Sequence, residues 1–453
     1  MNIGLMHYRV GETDGVSLEM SKWKTVLEAL GHKVVFIAGN KGNTEACVIS
    51  ELSLDNEEMK KIHYNAYYQL KDYASSQELK LAIDRHSDII EKKLCNIIEE
   101  HNLGILVPNN ILSLGHHLSA AIAICNAVKK KNIKLLCHHH DFFWERVVFN
   151  NPTCEIVKNI LQNYFPPKNS YASHFVINSI AQAVLKTKTG LDSTIVPNVF
   201  DFSQDLWIKD EYNSDLRSKL EIKENDLFFL QATRVTDRKA IELAIDLIDR
   251  LKSEKYREKI CGSKLYNGKE FNESSKIYLV LPGLSGEKES ATGYNDKIIE
   301  YAGIKNVNLL WCNDLLEEAR RLDSDNKKYY SLWDFYVNCD FVTYPSIQEG
   351  WGNQFLEGLF AKKPMIVFQY PVFLSDIEKC SFEYVSLGCC YKKLKNGLVS
   401  VKNNIINKSA EECIDILLNK KKYYEITERN FKLGEKYFSL NALKNILQHT
   451  LNV

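Results

Sequence analysis

The stretch DFVTYPSIQEGWGNQFLEGLFAKKP, residues 340–364, reads as an apolar strand, a glycine turn and a helix. The strand stops at Pro345 and the helix starts near Asn353. Glu349 stands just before the Gly350-Trp351-Gly352 turn, and Glu357 lies one helical turn beyond it. In open parallel sheets, ligands bind outside the carboxyl ends of the strands. A helix start there offers unpaired N–H groups and the positive end of its dipole, which suits a phosphate. Gly350 and Gly352 remove side chains that would hold a ligand off the backbone. Glu349 can accept hydrogen bonds from sugar hydroxyls, and Glu357 can hold the adjacent hydroxyls of a ribose. The stretch thus reads as a grip on both ends of a nucleoside diphosphate sugar. Taken alone, the two acids also read as ordinary helix-start carboxylates facing the dipole.

The same strand–helix alternation runs outward in both directions. NIGLMHY, KVVFIAG, LGILVP, IKLLCHHH, SHFVIN and STIVP are apolar runs in the first half, with helices between most of them. Met20, Trp23, Leu27 and Leu30 form the buried stripe of the first helix, which Gly31 ends. LFFLQAT, KIYLVLPG, VNLLWC, DFVTYP and PMIVFQ form a second series. Apolar strands alternating with helices give parallel sheets covered on both faces. The expected fold class is α/β, two doubly wound Rossmann-like domains facing each other across a cleft. The expected domains are 1–205, with a helical insertion at about 51–102, then 206–432, then an amphipathic helix at 433–453 that crosses back to the first domain.

At 453 residues the chain is long enough for about two or three cores. Lys plus Arg equals Asp plus Glu at 58 each, which argues against a nucleic-acid partner. The twelve cysteines form no Cys-x-x-Cys pair, and the N-terminus does not read as a signal peptide. The longest apolar stretch, 118–128, is shorter than the roughly 18–20 residues of a membrane span. These features lead to the expectation of a soluble cytoplasmic protein without a transmembrane segment.

A second feature lies in ATRVTDRKAIELAIDLI, 232–248. Arg234 and Lys239 bracket a strand-to-helix turn at the same carboxyl edge, where two cations can neutralise a diphosphate leaving group. Together the two motifs resemble family-4 retaining glycosyltransferases of the GT-B fold. That family carries an Arg, four residues and a Lys in the first turn of its second domain. It also carries a Glu, seven residues and a Glu around a Gly-aromatic-Gly turn. Arg234, Lys239, Glu349, Gly350, Trp351, Gly352 and Glu357 match. Ala240 stands where the family usually has glycine, and Trp351 where phenylalanine is commoner.

The resemblance covers almost the whole chain. It includes GETDGVSLEMSKWKTVLEALGHKV (11–34), HHHDFFWER (138–146), VINSIAQAVL (176–185) and VPNVFDF (196–202). TDGVSLEM, HDFFWER and YPVFLSDIE most resemble relatives acting on small soluble acceptors of the glucosylglycerate type, the mannosylglucosylglycerate synthase-like group. The resemblance implies a retaining hexosyl transfer from a UDP- or GDP-sugar donor to a hydroxyl acceptor, with no metal and no further cofactor. Arg234 and Lys239 would stabilise the departing diphosphate, Glu357 would hold the ribose, and the Gly350–Asn353 backbone with Glu349 would orient the sugar. The loop at Gly15 would close over the donor phosphates or position the acceptor. His140 would contact the donor sugar, and Asp14, Asp141 and Glu145 would contact the acceptor. A phosphorylase or epimerase on the same fold, or a non-catalytic nucleotide-sugar-binding protein, are the alternatives.

Three consecutive histidines on a strand point to alternating faces, so His138, His139 and His140 cannot share one ion. The Asp-Ser-Asp at 323–325 lacks an apolar strand leading into it and reads as a solvated loop. The lysine runs 129–131 and 420–422 read as helix C-termini. Gly283 and Gly286, in LPGLSGEKESATG (281–293), have no dinucleotide-binding spacing and read as loop.

Overall fold

Runs such as LFFL and IYLVL are apolar at every position, so they form strands that are buried on both faces. The computed structural model describes residues 1–12, 14–283 and 293–451. The loop expected around Gly286 lies outside the described residues. The chain divides into two units, Met1–Val199 with Leu440–Val453, and Phe200–Ser439.

The first unit holds a seven-stranded parallel sheet of β1 (Asn2–Arg9), β2 (Lys33–Asn40), β3 (Cys47–Val48), β4 (Ile105–Pro108), β5 (Lys134–His139), β6 (Ala172–Val176) and β7 (Thr194–Ile195). Its order is β3-β2-β1-β4-β5-β6-β7. α1 (Gly15–Ala29) buries Met20, Trp23, Val26 and Leu27 in a cluster with Leu443 and Leu447 of the helix Leu440–Thr450. Leu30, expected in that stripe, is the half-buried C-cap, because the helix ends one residue earlier.

The stretch at 51–102, expected as a helical insertion, is helical and packs on the core of the first unit. It divides into α2 (Glu57–Tyr67) and α3 (Ser76–Glu100), separated where Asn65 Oδ1 accepts from the amides of Lys71 and Asp72. α3 lies between β3 and β4 in the chain. Its Leu79, Ile83, Ile90 and Leu94 belong to the same core cluster as Leu106 and Leu118.

In the second unit β8 (Leu227–Leu230), β9 (Ile277–Leu281), β10 (Asn308–Trp311), β11 (Phe341–Tyr344), β12 (Met365–Val367) and β13 (Val385–Ser386) run parallel in the order β10-β9-β8-β11-β12-β13. The order reverses between β8 and β11, which is the switch point where doubly wound sheets bind ligands. The breaks between units fall at 199/200 and 439/440, not at 205/206 and 432/433. The polar stretch after 200 hides an aromatic anchor: Phe200 and Phe202 both pack on Phe360, and Phe200 N donates to the Phe438 carbonyl at 2.8 Å. Lys129–Lys131 close the helix Leu118–Lys131 as expected. Lys420–Lys422 instead open the helix Lys420–Phe438, whose N-cap is Asn419.

Candidate active site

β8 and β11 are hydrogen-bonded neighbours, so the turns after them emerge side by side. The first turn carries Arg234, Arg238 and Lys239, and the second carries Glu349. Ile347 N donates to the Arg238 carbonyl at 2.9 Å and ties the turns together. Below them Thr343 Oγ1 donates to Gln231 Oε1 at 2.6 Å, and Gln231 Nε2 donates to Thr233 Oγ1 at 2.9 Å.

Lys239 Nζ forms an ion pair with Glu349 Oε1, and Arg238 Nη1 pairs with Glu349 Oε2 at 2.8 Å. Burial lowers the Lys239 ammonium, and the charges of Arg238 and Arg234 act the same way against Glu349. Burial alone would raise Glu349, yet Lys239 and Arg238 bring its carboxyl below the usual range. Two cations therefore share one carboxylate at the switch point, and the charge of a third, Arg234, acts on Lys239. Arg238 was missed in the sequence, although it is the residue next to Lys239.

Glu357 lies on the helix Asn353–Phe360 and accepts from Tyr336 Oη at 2.8 Å. Gly352 precedes that helix with φ +144°, and a Cβ there would overlap Tyr370 Oη. Its freedom from a side chain serves this packing rather than backbone access alone. The Trp351 indole is turned inward against Phe438, and its carbonyl accepts from Tyr370 Oη. The Trp351 side chain is thus buried in the core of the unit. Ala240 adopts a left-handed conformation, φ +45°, which glycine adopts without steric cost.

The first unit gathers the other expected residues at the carboxyl ends of β1, β4 and β5. Asn110, with φ +60°, follows β4, and its Oδ1 accepts from the amides of His140 and Asp141 at 3.0 and 3.1 Å. Sequence reasoning missed this anchor. Burial lowers the His140 imidazole to about 4, against the pull of Asp141, so it is neutral at pH 7. Asp141 pairs with Arg146 at 2.7 Å.

Two expected acceptor contacts have structural duties. Asp14 is the N-cap of α1: Oδ1 accepts from the amides of Val16 and Ser17 at 3.1 and 3.2 Å, and Oδ2 accepts from Ser17 Oγ at 2.5 Å. The Asp-Gly-Val-Ser spacing is a cap signal that the functional reading passed over. Gly15 is the first residue of α1. Glu145 Oε2 accepts from Phe142 N at 3.1 Å and caps a short 3-10 turn.

Asp323 accepts from the amides of Asp325 and Lys327 in an exposed turn, which leaves it a solvated loop. A hollow of about 760 Å³ along the helix Lys420–Phe438, lined by Lys362, Tyr424, Arg429 and Lys436, includes none of the residues above. Among the described residues, no helix is long and apolar enough to cross a membrane.

None of the family models compared with the sequence matches it. The chain is 41% identical over 440 residues to the mannosylglucosylglycerate synthase of Petrotoga mobilis, covering 97% of this chain and 99% of that protein. It is 39% identical over 448 residues to the mannosylglucosylglycerate synthase of Thermotoga maritima, covering 99% of each. Among solved structures, a glycosyltransferase from Rickettsia africae is similar with a TM-score of 0.59 at 15% identity, over 99% of this chain and 98% of that one. That likeness is one of fold, and the fold is GT-B.

Proposed function

Because this chain belongs to the mannosylglucosylglycerate synthase family, whose members are glycosyltransferases using nucleotide sugars, we propose that it moves a mannosyl group onto a glucosylglycerate-type acceptor. The donor is a nucleoside diphosphate sugar of the GDP or UDP type, and the anomeric configuration is retained. The bond from the anomeric carbon to the diphosphate oxygen breaks, and a bond from that carbon to the acceptor oxygen forms on the same face. The acceptor proton passes to the departing diphosphate, so no side-chain base is needed.

The observation that carries this reading is the pairing of Arg238 and Lys239 with Glu349 at the switch point, with the charge of Arg234 acting on Lys239. Negative charge grows on the diphosphate as the bond breaks. Fixed cations in a partly water-excluded site stabilise that charge more than they stabilise the bound donor. Lys239, held by Glu349 before the donor arrives, is the cation placed to shift to phosphate. Glu357 holds the ribose, and the Gly350–Asn353 backbone with Glu349 orients the sugar. In the first unit, His140 is neutral and anchored through Asn110. With these cations in place the transfer needs no catalytic metal and no further cofactor. Twelve free thiols support a reducing, cytoplasmic location.

The test is a thermal-shift screen with GDP-mannose, UDP-glucose and ADP-glucose, followed by product analysis with glucosylglycerate as acceptor. Lys239→Ala is expected to fold and to lose about 10²–10³ in turnover. Full turnover in that variant, or no transfer with any of these donors, would overturn the reading.

A further inference from the structure

Alternation along β5 splits the three histidines, but the same alternation puts His139 on one face with Cys137, two residues earlier. β6 runs parallel beside β5, and its His174 is the register partner of Cys137. Three ligand-bearing side chains from two strands therefore share one face. All three are buried, and their ligand atoms lie within 4.8 Å of one another. His139 Nε2 and His174 Nδ1 are 3.0 Å apart, with the rings nearly parallel at 17°. Two nitrogens bound to one tetrahedral or trigonal ion stand about 3.3 Å apart.

His174 Nε2 is buried without a hydrogen-bond partner. Without an ion, the two facing nitrogens must share one proton, and His139 Nδ1 has no hydrogen-bond partner.

We propose that Cys137, His139 and His174 form a buried site for a thiophilic metal cation, structural in role and separate from the residues assigned to transfer. One thiolate fully neutralises a monovalent ion and only half neutralises a divalent one. The buried surroundings therefore favour Cu⁺ in a trigonal Cys-His-His set over Zn²⁺. Binding replaces the Cys137 S–H by an S–metal bond and releases one proton per ion. No electron is transferred.

The experiment uses the full chain with Cys389→Ser and Cys390→Ser, because these two exposed thiols can themselves take a soft metal. Cu⁺ is titrated anaerobically against a chromogenic chelator, and Co²⁺ is titrated separately as the optical stand-in for zinc. One Cu⁺ per chain, held against the chelator and absent from Cys137→Ala, is the expected result. A thiolate-to-cobalt charge-transfer band that needs Cys137, without Cu⁺ retention, would support the site and assign it to a divalent ion. X-ray absorption on the loaded chain, showing one sulfur and two nitrogen neighbours, keeps the test independent of whether Cys137→Ala folds. Equal ion binding by Cys137→Ala and its parent, or a metal shell without sulfur, would overturn the proposal. Neither result decides the glycosyl-transfer reading, which is tested at Lys239 in the other unit.

Discussion

Lys239 and Glu349 are joined by an ion pair whose side chains keep only 4% and 9% of their exposure, with Arg238 on the other carboxylate oxygen. A buried carboxylate left with too few partners is costly, so the three residues act as a unit.

Arg238→Gln leaves Glu349 with one cation. Arg238 is about two-fifths exposed, so solvent screens its contribution to about 1 kcal/mol, or roughly five-fold in kcat/KM. Glu349 then loses part of what holds its carboxyl low. The acid limb of the kcat/KM profile moves to higher pH, because the carboxylate form is needed. A rate profile from pH 4 to 9 checks this, and an unmoved acid limb would show that Arg238 does not hold Glu349 in solution.

Acid lability is expected of the first unit. Burial lowers His7, His116 and His140 to about 4 and His117 to about 3. Folded pKa values below the unfolded value of about 6.5 mean that the unfolded chain binds more protons between those limits. Stability is therefore full above pH 6.5 and falls as pH drops toward 4, by about 1–2 kcal/mol per histidine at pH 5. Thermal unfolding from pH 7.5 to 5 reads this directly. A flat Tm across that range contradicts it.

Asp14→Ala should cost about 1 kcal/mol through loss of the α1 cap. Burial would raise Asp14, but its bonds to Ser17 and the charges of His7 and Arg9 leave it lowered. Its contribution is thus present above the ordinary carboxylate range, about pH 4, and disappears as pH falls through its lowered folded value. The Tm gap between variant and parent should close in strong acid.

Ala240→Gly should stabilise the chain. A left-handed alanine costs about 1–2 kcal/mol, and glycine gives back about 0.5–1 in chain entropy, for a gain of about 1 kcal/mol or less. A urea midpoint unchanged or lower in the variant would refute this.

The parallel strands were legible because burial on both faces leaves an unbroken apolar run, as in LFFL and IYLVL. The motif pair located the switch point for the same reason, since each turn follows such a strand. The caps made by Asp14 and Glu145 were not legible, because a capping carboxylate and a binding carboxylate look alike in one dimension. Arg238, Asn110 and His174 gain their meaning from partners between 30 and 111 positions away. No local pattern carries such pairings. The inward turn of Trp351 depends on Phe438, on a helix that begins at Lys420.

The final helix settles how this molecule can be dissected. Leu443 and Leu447 fill the face of α1 around Trp23 and Leu27, so the first unit draws on two separate stretches of the chain. A fragment stopped at residue 199 would emerge with that oily seam uncovered and would aggregate. Supplying the last fourteen or so residues as a separate peptide, or fusing them after residue 199, should restore solubility to the isolated half.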